Sequence, residues 1–192
     1  MMTRWAPDAA GRLHNAALEL FLEQGFAVTT VPQIAERAGL TTRSFFRHFA
    51  DKREVLFTGE DELPAVVTRM YEDADPSLGP MEAFLEGFRS IVIPRLLDYR
   101  KELLVRRQIV RSDDGLRERE LRKLAILHEA ATEALTRRGL TALESEIAGR
   151  LAVAIYDTTL EIWLTGEGHE PLEDILTDVH HTMGRMVAPV HL

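Results

Sequence analysis

Seven histidines and 31 carboxylates give the chain ample material for acid–base or metal chemistry, yet little of it falls at the spacings such chemistry needs. No histidine has a glutamate three positions before it, the pair a carboxylate-bridged di-iron bundle requires. His-Glu-x-x-His, Gly-x-Ser-x-Gly and the phosphate-binding P-loop pattern are also missing. Asp174, Asp178, His180 and His181 make a weak metal cluster that reads better as a solvated helix face. Cysteine is absent, which removes thiolate ligands, disulfides and cysteine nucleophiles together. No catalytic residue, metal or cofactor is expected. The residues that do suit a definite chemistry lie between Thr41 and Arg53, where Arg43, Arg47, Lys52 and Arg53 face only Asp51, a local charge of +3. Guanidinium and hydroxyl groups clustered in this way suit phosphates and the edges of bases.

The total charge conceals this. The chain is acidic, at −8, but residues 1–60 hold 7 basic and 7 acidic side chains, residues 61–140 hold 14 and 15, and residues 141–192 hold 2 and 9. Nearly all the negative charge therefore sits in the last quarter, and the asymmetry is of the kind that marks a nucleic-acid-facing end. The longest stretch free of Asp, Glu, Lys and Arg is the 12 residues from Gln24 to Ala35, too short to span a bilayer. Residues 1–11 contain no apolar run suited to a signal peptide. A cytoplasmic protein with no membrane partner is expected, and 45% hydrophobic content suffices for a real core.

Apolar residues recur at helical spacing throughout, which predicts an all-α fold of about nine helices. Leu13, Ala16, Ala17, Leu20 and Phe21 form the stripe of a first helix ended by Gly25. Thr30 caps a short second helix, with Pro32 in its first turn and Gln33 placed to reach back. Thr41 starts a short third helix carrying Phe45 and Phe49, and Asp51 caps a fourth that continues through Pro64 to about Ala74. Later helices are expected near Met81 to Pro94, Lys101 to Arg111, Gly115 to Arg138, Ala142 to Thr165 and Leu172 to Val187. Pro94 should kink or end its helix. In the Gly115 helix, Leu121, Leu124, Ala125, His128 and Leu135 align.

Two helices of about two turns, joined around Gly39, have the dimensions of a helix-turn-helix. Ala35 is small where the helices approach, Gly39 permits a positive backbone dihedral, and Ile34, Leu40 and Phe45 close a small core. The second helix of such a unit enters the major groove N-terminus first. Here it offers Thr41, Thr42, Arg43 and Ser44, with Arg47 and His48 one turn on. Arg43 suits guanine O6 and N7, and Lys52 suits a phosphate. Thr30 and Phe46 complete the candidate interface.

The stretch closely resembles the DNA-binding region of the TetR family of bacterial transcriptional regulators. That region reads I-A-x-x-A-G-[VL]-[ST], then [ST]-[LF]-[YF]-x-[HY]-F, then Lys followed by an acidic residue and aliphatics. The chain supplies Ile34, Ala35, Ala38, Gly39, Leu40, Thr41, Ser44, Phe45, Phe46, His48, Phe49 and Lys52 in register. It departs from the pattern at Phe46, where a tyrosine often stands, and at Arg43, where a small residue is common. The resemblance implies that residues 1–50 form the DNA-binding domain, with a linker helix from about residue 51. Residues 51–192 would then bind a small-molecule effector and dimerise.

Two side-chain sets fit those implied roles. Phe84, Phe88, Arg89, His128, Tyr156 and Trp163 are pocket candidates, with Asp157 beside them. The helix from Ala142 has two apolar stripes, one with Leu151, Ile155 and Ile162 and one with Ala148, Ala152, Tyr156 and Trp163. A helix apolar on two faces must be covered on both, by a second subunit or by burial at the centre of a monomer. For the subunit case the interface is Leu151, Ile155 and Ile162 with Ile175, Val179 and Met183 of the last helix. The sequence thus points to a homodimeric, ligand-responsive repressor on a pseudo-palindromic double-stranded operator. The alternatives are a helical ligand-binding or interaction protein without operator binding, and an enzyme using the helical cavity.

Overall fold

A computed structural model describes residues 9–166 and 170–187, which are helical with no strand among them. The expected absence of a signal segment at residues 1–8 falls outside the described residues. Among the described residues, ten α-helices are arranged in the order α1 (Ala9–Gln24), α2 (Val31–Arg37), α3 (Thr42–His48), α4 (Leu63–Glu72), α5 (Pro80–Gly87), α6 (Ile93–Asp98), α7 (Arg100–Arg111), α8 (Asp114–Arg137), α9 (Ala142–Thr165) and α10 (Leu172–Val187). Contacts divide the chain into two units, residues 1–61 with 101–120, and residues 62–100 with 121–192.

In the first unit, α1 buries Leu13, Ala17 and Phe21 against Ile34 of α2 and Phe45 of α3. Both α2 and α3 have only seven residues, so tertiary burial rather than propensity must hold them. The turn between them is fixed by the backbone. Gly39 sits at φ +64°, its N–H donates to Glu36 O at 2.9 Å, and Leu40 N–H donates to Ala35 O at 2.8 Å. This pairing of a left-handed residue with two crossed hydrogen bonds closes the helix and re-aims the chain. From α1, the Arg12 guanidinium donates to Ala38 O in the same turn. Arg37 of α2 pairs back to α1 through Glu19 at 3.2 Å and Glu23 at 2.7 Å. The same hydrogen bond from Arg37 holds the Glu23 carboxyl below the ordinary range.

The helix expected from Asp51 through Pro64 is broken. Asp51 Oδ1 does accept from Arg53 and Glu54 N–H, at 2.7 and 3.1 Å, but the chain then enters a 3₁₀ turn, Glu54–Phe57. Thr58 turns extended, at ψ 132°. Pro64 belongs in a first turn, so α4 starts beside it instead of running through it. Val55, Leu56 and Phe57 are buried in the first unit's core, which is why that unit continues past residue 50. Residues of α7 and the start of α8 complete it. Arg106 donates to Leu56 O at 2.7 Å and pairs with Glu60 at 2.9 Å and Glu120 at 2.5 Å, while Arg119 pairs with Glu54. Both guanidinium groups lie over the Phe57 ring, at 4.8 and 4.5 Å.

In the second unit, α5 does not end at Pro94. A single π turn, Phe88–Val92, leads into α6 with Pro94 in its first turn, so the missing N–H is absorbed where the helix already changes its hydrogen-bond step. Gly87 lets α5 meet α4 closely, since a Cβ there would stand 2.6 Å from Met70 Cβ. The buried face of α8 carries Leu127, Ala130, Ala131, Ala134 and Leu135, whereas Leu121 is 67% exposed; the inward stripe is rotated from the expected one. Arg138 donates to Tyr71, Ala74, Asp75 and Leu78 carbonyls, satisfying the end of α4 and the turn beyond it. At the start of α9, the Thr141 hydroxyl and N–H donate to Glu144 Oε2 at 2.7 and 2.8 Å and hold its carboxyl below the ordinary range.

These contacts have measurable effects on stability. A carboxyl lowered in the folded state contributes stability above its unfolded pKa of about 4.3 and loses it as pH falls through the folded value. Glu144→Gln, which keeps the cap geometry, should therefore lose less denaturant midpoint than wild type between about pH 7 and pH 3. Lys52 carries a larger load: its ammonium donates to the carbonyls of Phe26, Ala27 and Thr29 at 2.7, 3.0 and 2.9 Å, over the Phe26 ring at 4.4 Å. Lys52→Met should lower unfolding free energy by about 2 kcal/mol in urea, because three acceptors lose a charged donor.

Candidate nucleic-acid interface and effector cavity

The outward side of α3 is built by what its inward side buries. Phe45 and Phe49 are in the core, with ring centroids 5.4 Å apart, and this orients the rest of the helix. Thr41, Thr42, Arg43, Phe46, Arg47 and His48 are exposed as a result. Thr41 is the N-cap, its Oγ1 accepting from Ser44 N–H at 3.1 Å and lying 3.0 Å from the Ser44 hydroxyl. These two hydroxyls therefore set the helix start as well as offering hydrogen bonds. Arg43 has no partner among the described residues and projects from the first turn. Arg47 Nη2 lies 3.4 Å from His48 Nε2, a long contact. Thr30, exposed at the start of α2, gives its N–H and hydroxyl to Gln33 Oε1, at 2.8 and 2.9 Å.

Lys52 differs from the expectation. All three of its ammonium donors have carbonyl acceptors in the α1–α2 connection, so it braces that loop instead of reaching a phosphate. Sequence shows that a cation is present but not which way a four-carbon stem folds back across 26 positions. The groups of α3 with a free surface are thus Thr42, Arg43, Phe46, Arg47 and His48.

The second unit encloses a cavity of about 140 Å³, walled by α4, α5, the π turn, α6, α8 and α9. Of the pocket candidates, Phe84, Phe88 and Tyr156 line it. The other three are occupied elsewhere. Arg89 pairs with Glu173 at 3.3 Å and Thr177 at 3.2 Å, His128 lies 3.2 Å from Thr132 Oγ1 and 3.3 Å from Glu146, and buried Trp163 accepts from Arg100 through its carbonyl. Asp157 is exposed. Residues the sequence did not single out complete the walls, notably Val67, Met70, Leu127 and Arg95. Burial pushes the Tyr71 phenol, also in the wall, well above the ordinary range, with Arg138 opposing.

On the other face of α9, a groove of about 420 Å³ runs between α9 and α10. Of the six expected interface residues, Ile162 is exposed and Leu151, Val179 and Met183 are half-buried, whereas Ile155 and Ile175 are buried within the chain itself, at 0% and 3%. Those last two close the α9–α10 contact and also line the floor of the groove. Exposed Leu143, Ile147 and Met186 extend the apolar surface beyond the expected set. Among the described residues no group of three His, Asp or Glu is placed to hold a metal ion.

Comparison with known proteins agrees with this geometry. The family model of bacterial regulatory proteins, tetR family, matches residues 13–58. The transcriptional regulator TcmR of Streptomyces glaucescens is 40% identical over 81 residues, 42% of this chain and 36% of that protein, so the chain spans little more than a third of its length. The regulator TtgR of Pseudomonas putida is 30% identical over 174 residues, 83% of this chain and 81% of that one. The solved structure of the Thermus thermophilus FadR repressor with lauroyl-CoA superposes with a TM-score of 0.58 at 20% identity, covering 95% of this chain and 97% of that one, and so shares the fold. With TtgR matched along four fifths of both chains and the family region in place at α1–α3, the chain belongs to the tetR family of bacterial regulatory proteins.

Proposed function

We propose that the protein is a cytoplasmic, homodimeric transcriptional repressor that reads a pseudo-palindromic double-stranded operator through α3 and releases it when a small molecule fills the cavity between α4 and α9. The observation that carries this reading is the division of α3, with Phe45 and Phe49 locked inside and Thr42, Arg43, Arg47 and His48 left outside on two turns of helix. In the major groove Arg43 forks onto a guanine, Thr42 reaches a phosphate or base edge, and Arg47 meets the backbone. A dimer would set two such helices about 34 Å apart, one turn of DNA. Release requires an effector that binds the wrongly spaced conformer better than the reading one. FadR of Thermus thermophilus, a repressor of the same fold crystallised with lauroyl-CoA, supports a ligand-relieved mechanism.

Selection from random duplexes at moderate salt should enrich one pseudo-palindrome; no enrichment would end the repressor reading. On that operator Arg43→Ala should cost about 1–3 kcal/mol and relax preference at a single base position, whereas Arg47→Ala should weaken all duplexes alike. The dimer is best probed outside the core. Ile162→Asp, on the open side of α9, should halve the mass measured by light scattering while leaving the helical spectrum intact, and a wild-type mass of one subunit would remove the dimer altogether.

A further inference from the structure

The cavity wall has a one-sided chemistry. Its surface is almost wholly hydrocarbon, and the rings of Phe84, Phe88 and Tyr156 run along it, with centroid separations of 5.7 and 6.1 Å. Among the described residues, no Asp, Glu, Lys or His lines the cavity. Among the described residues its single charge is Arg95, which follows Pro94 in the first turn of α6 and lies on the face that Phe88 and Val92 carry through the π turn. Arg95 is exposed while lining the cavity, so it stands where the cavity meets water, and it has no hydrogen-bond or ion-pair partner among the described residues.

These features select among ligands. The volume of about 140 Å³ is close to the ~150 Å³ apolar cavity that stays dry and takes up benzene. A ligand's polar atoms placed deep inside would lose water and find only the phenols of Tyr71 and Tyr156 among the lining side chains, with no charge to meet them. A cationic ligand would meet no carboxylate and would be repelled by Arg95. A neutral arene would fill the space but leave the guanidinium unengaged. We propose that the effector is an amphipathic monocarboxylate, with an apolar body of about one ring against Phe84, Phe88 and Tyr156 and its carboxylate paired with Arg95 at the mouth. This ligand class rests on the effector role given to the cavity above.

The test is calorimetric titration of the full chain, without DNA, using 3-phenylpropionate, its neutral amide 3-phenylpropanamide and the cation 3-phenylpropylamine. The acid should bind about fivefold more tightly than the amide, the size of an exposed ion pair, and the amine should bind most weakly. Arg95→Gln should erase the preference for acid over amide without changing amide affinity, and Arg95→Lys should retain it. Saturating benzene should compete with the acid. Equal affinity for acid and amide, a preference that survives Arg95→Gln, no competition from benzene, or no binding of any of the three would each overturn the proposal. If an operator is selected but the carboxylate fails, the ligand class falls alone. If the carboxylate binds with the Arg95 preference and no duplex is enriched, the repressor reading falls alone.

Discussion

A helix of two turns in water closes too few hydrogen bonds to offset the cost of its nucleus, so α2 and α3 hold together only through what they bury. Ile34, Ala35, Phe45 and Phe49 are therefore more than filling: without their contact with Leu13, Ala17 and Phe21 of α1 there is no defined outer surface at all. The polar devices of the first unit serve that dependence. Arg12 and the left-handed Gly39 fix the turn, Arg37 ties α2 to α1 through two glutamates, and Lys52 gathers the carbonyls of the loop before α2. Each fastens an end of a helix too short to fasten itself.

This dependence also explains what could be read in advance. The bounds of α9 and α10 match the apolar runs Ala142 to Thr165 and Leu172 to Val187, and at the start of α9 the Thr141 cap agrees with that period. The helix pair around Gly39 was legible for the same reason. The phase of α8 was not, since its leucines and alanines are spread around the cylinder; Leu121 and Ile126 stand exposed while Lys123 is buried. Lys52 misled because composition records charge but not the acceptors a long side chain finds. Ile155 and Ile175 are buried by the chain's own helices and also line the α9–α10 groove; an apolar stripe does not say whether the chain's own neighbour or another chain covers it.

The cavity shows the same limit at a proline. Pro94 predicts a kink or an end to its helix, and Arg95 beyond it is not among the pocket candidates of the sequence. The π turn changes the outcome by widening the helix just before the residue that lacks an N–H, so that one face continues from Phe84 through Phe88 and Val92 to Arg95 and Leu96. Gly87 permits the same stretch to lie close to α4. Phe84, Phe88, Val92 and Arg95 keep the i, i+4, i+8, i+11 spacing of one helix face, so the wall runs on past the proline while the π turn absorbs the missing N–H.

The bracing of the first unit has an electrostatic consequence. Arg12, Arg37, Lys52, Arg106 and Arg119 all give their donors to carbonyls or carboxylates of their own unit. A cation already engaged at home displaces few counterions from a polyanion, and it is the displaced counterions that make binding sensitive to salt and tolerant of any sequence. With Arg43 and Arg47 on α3 and Arg53 just beyond it as exposed cations, each head would release few ions if it docks on a duplex as proposed. On the proposed reading, discrimination between sites would then depend chiefly on base edges and duplex shape, with little loose attraction to dilute it.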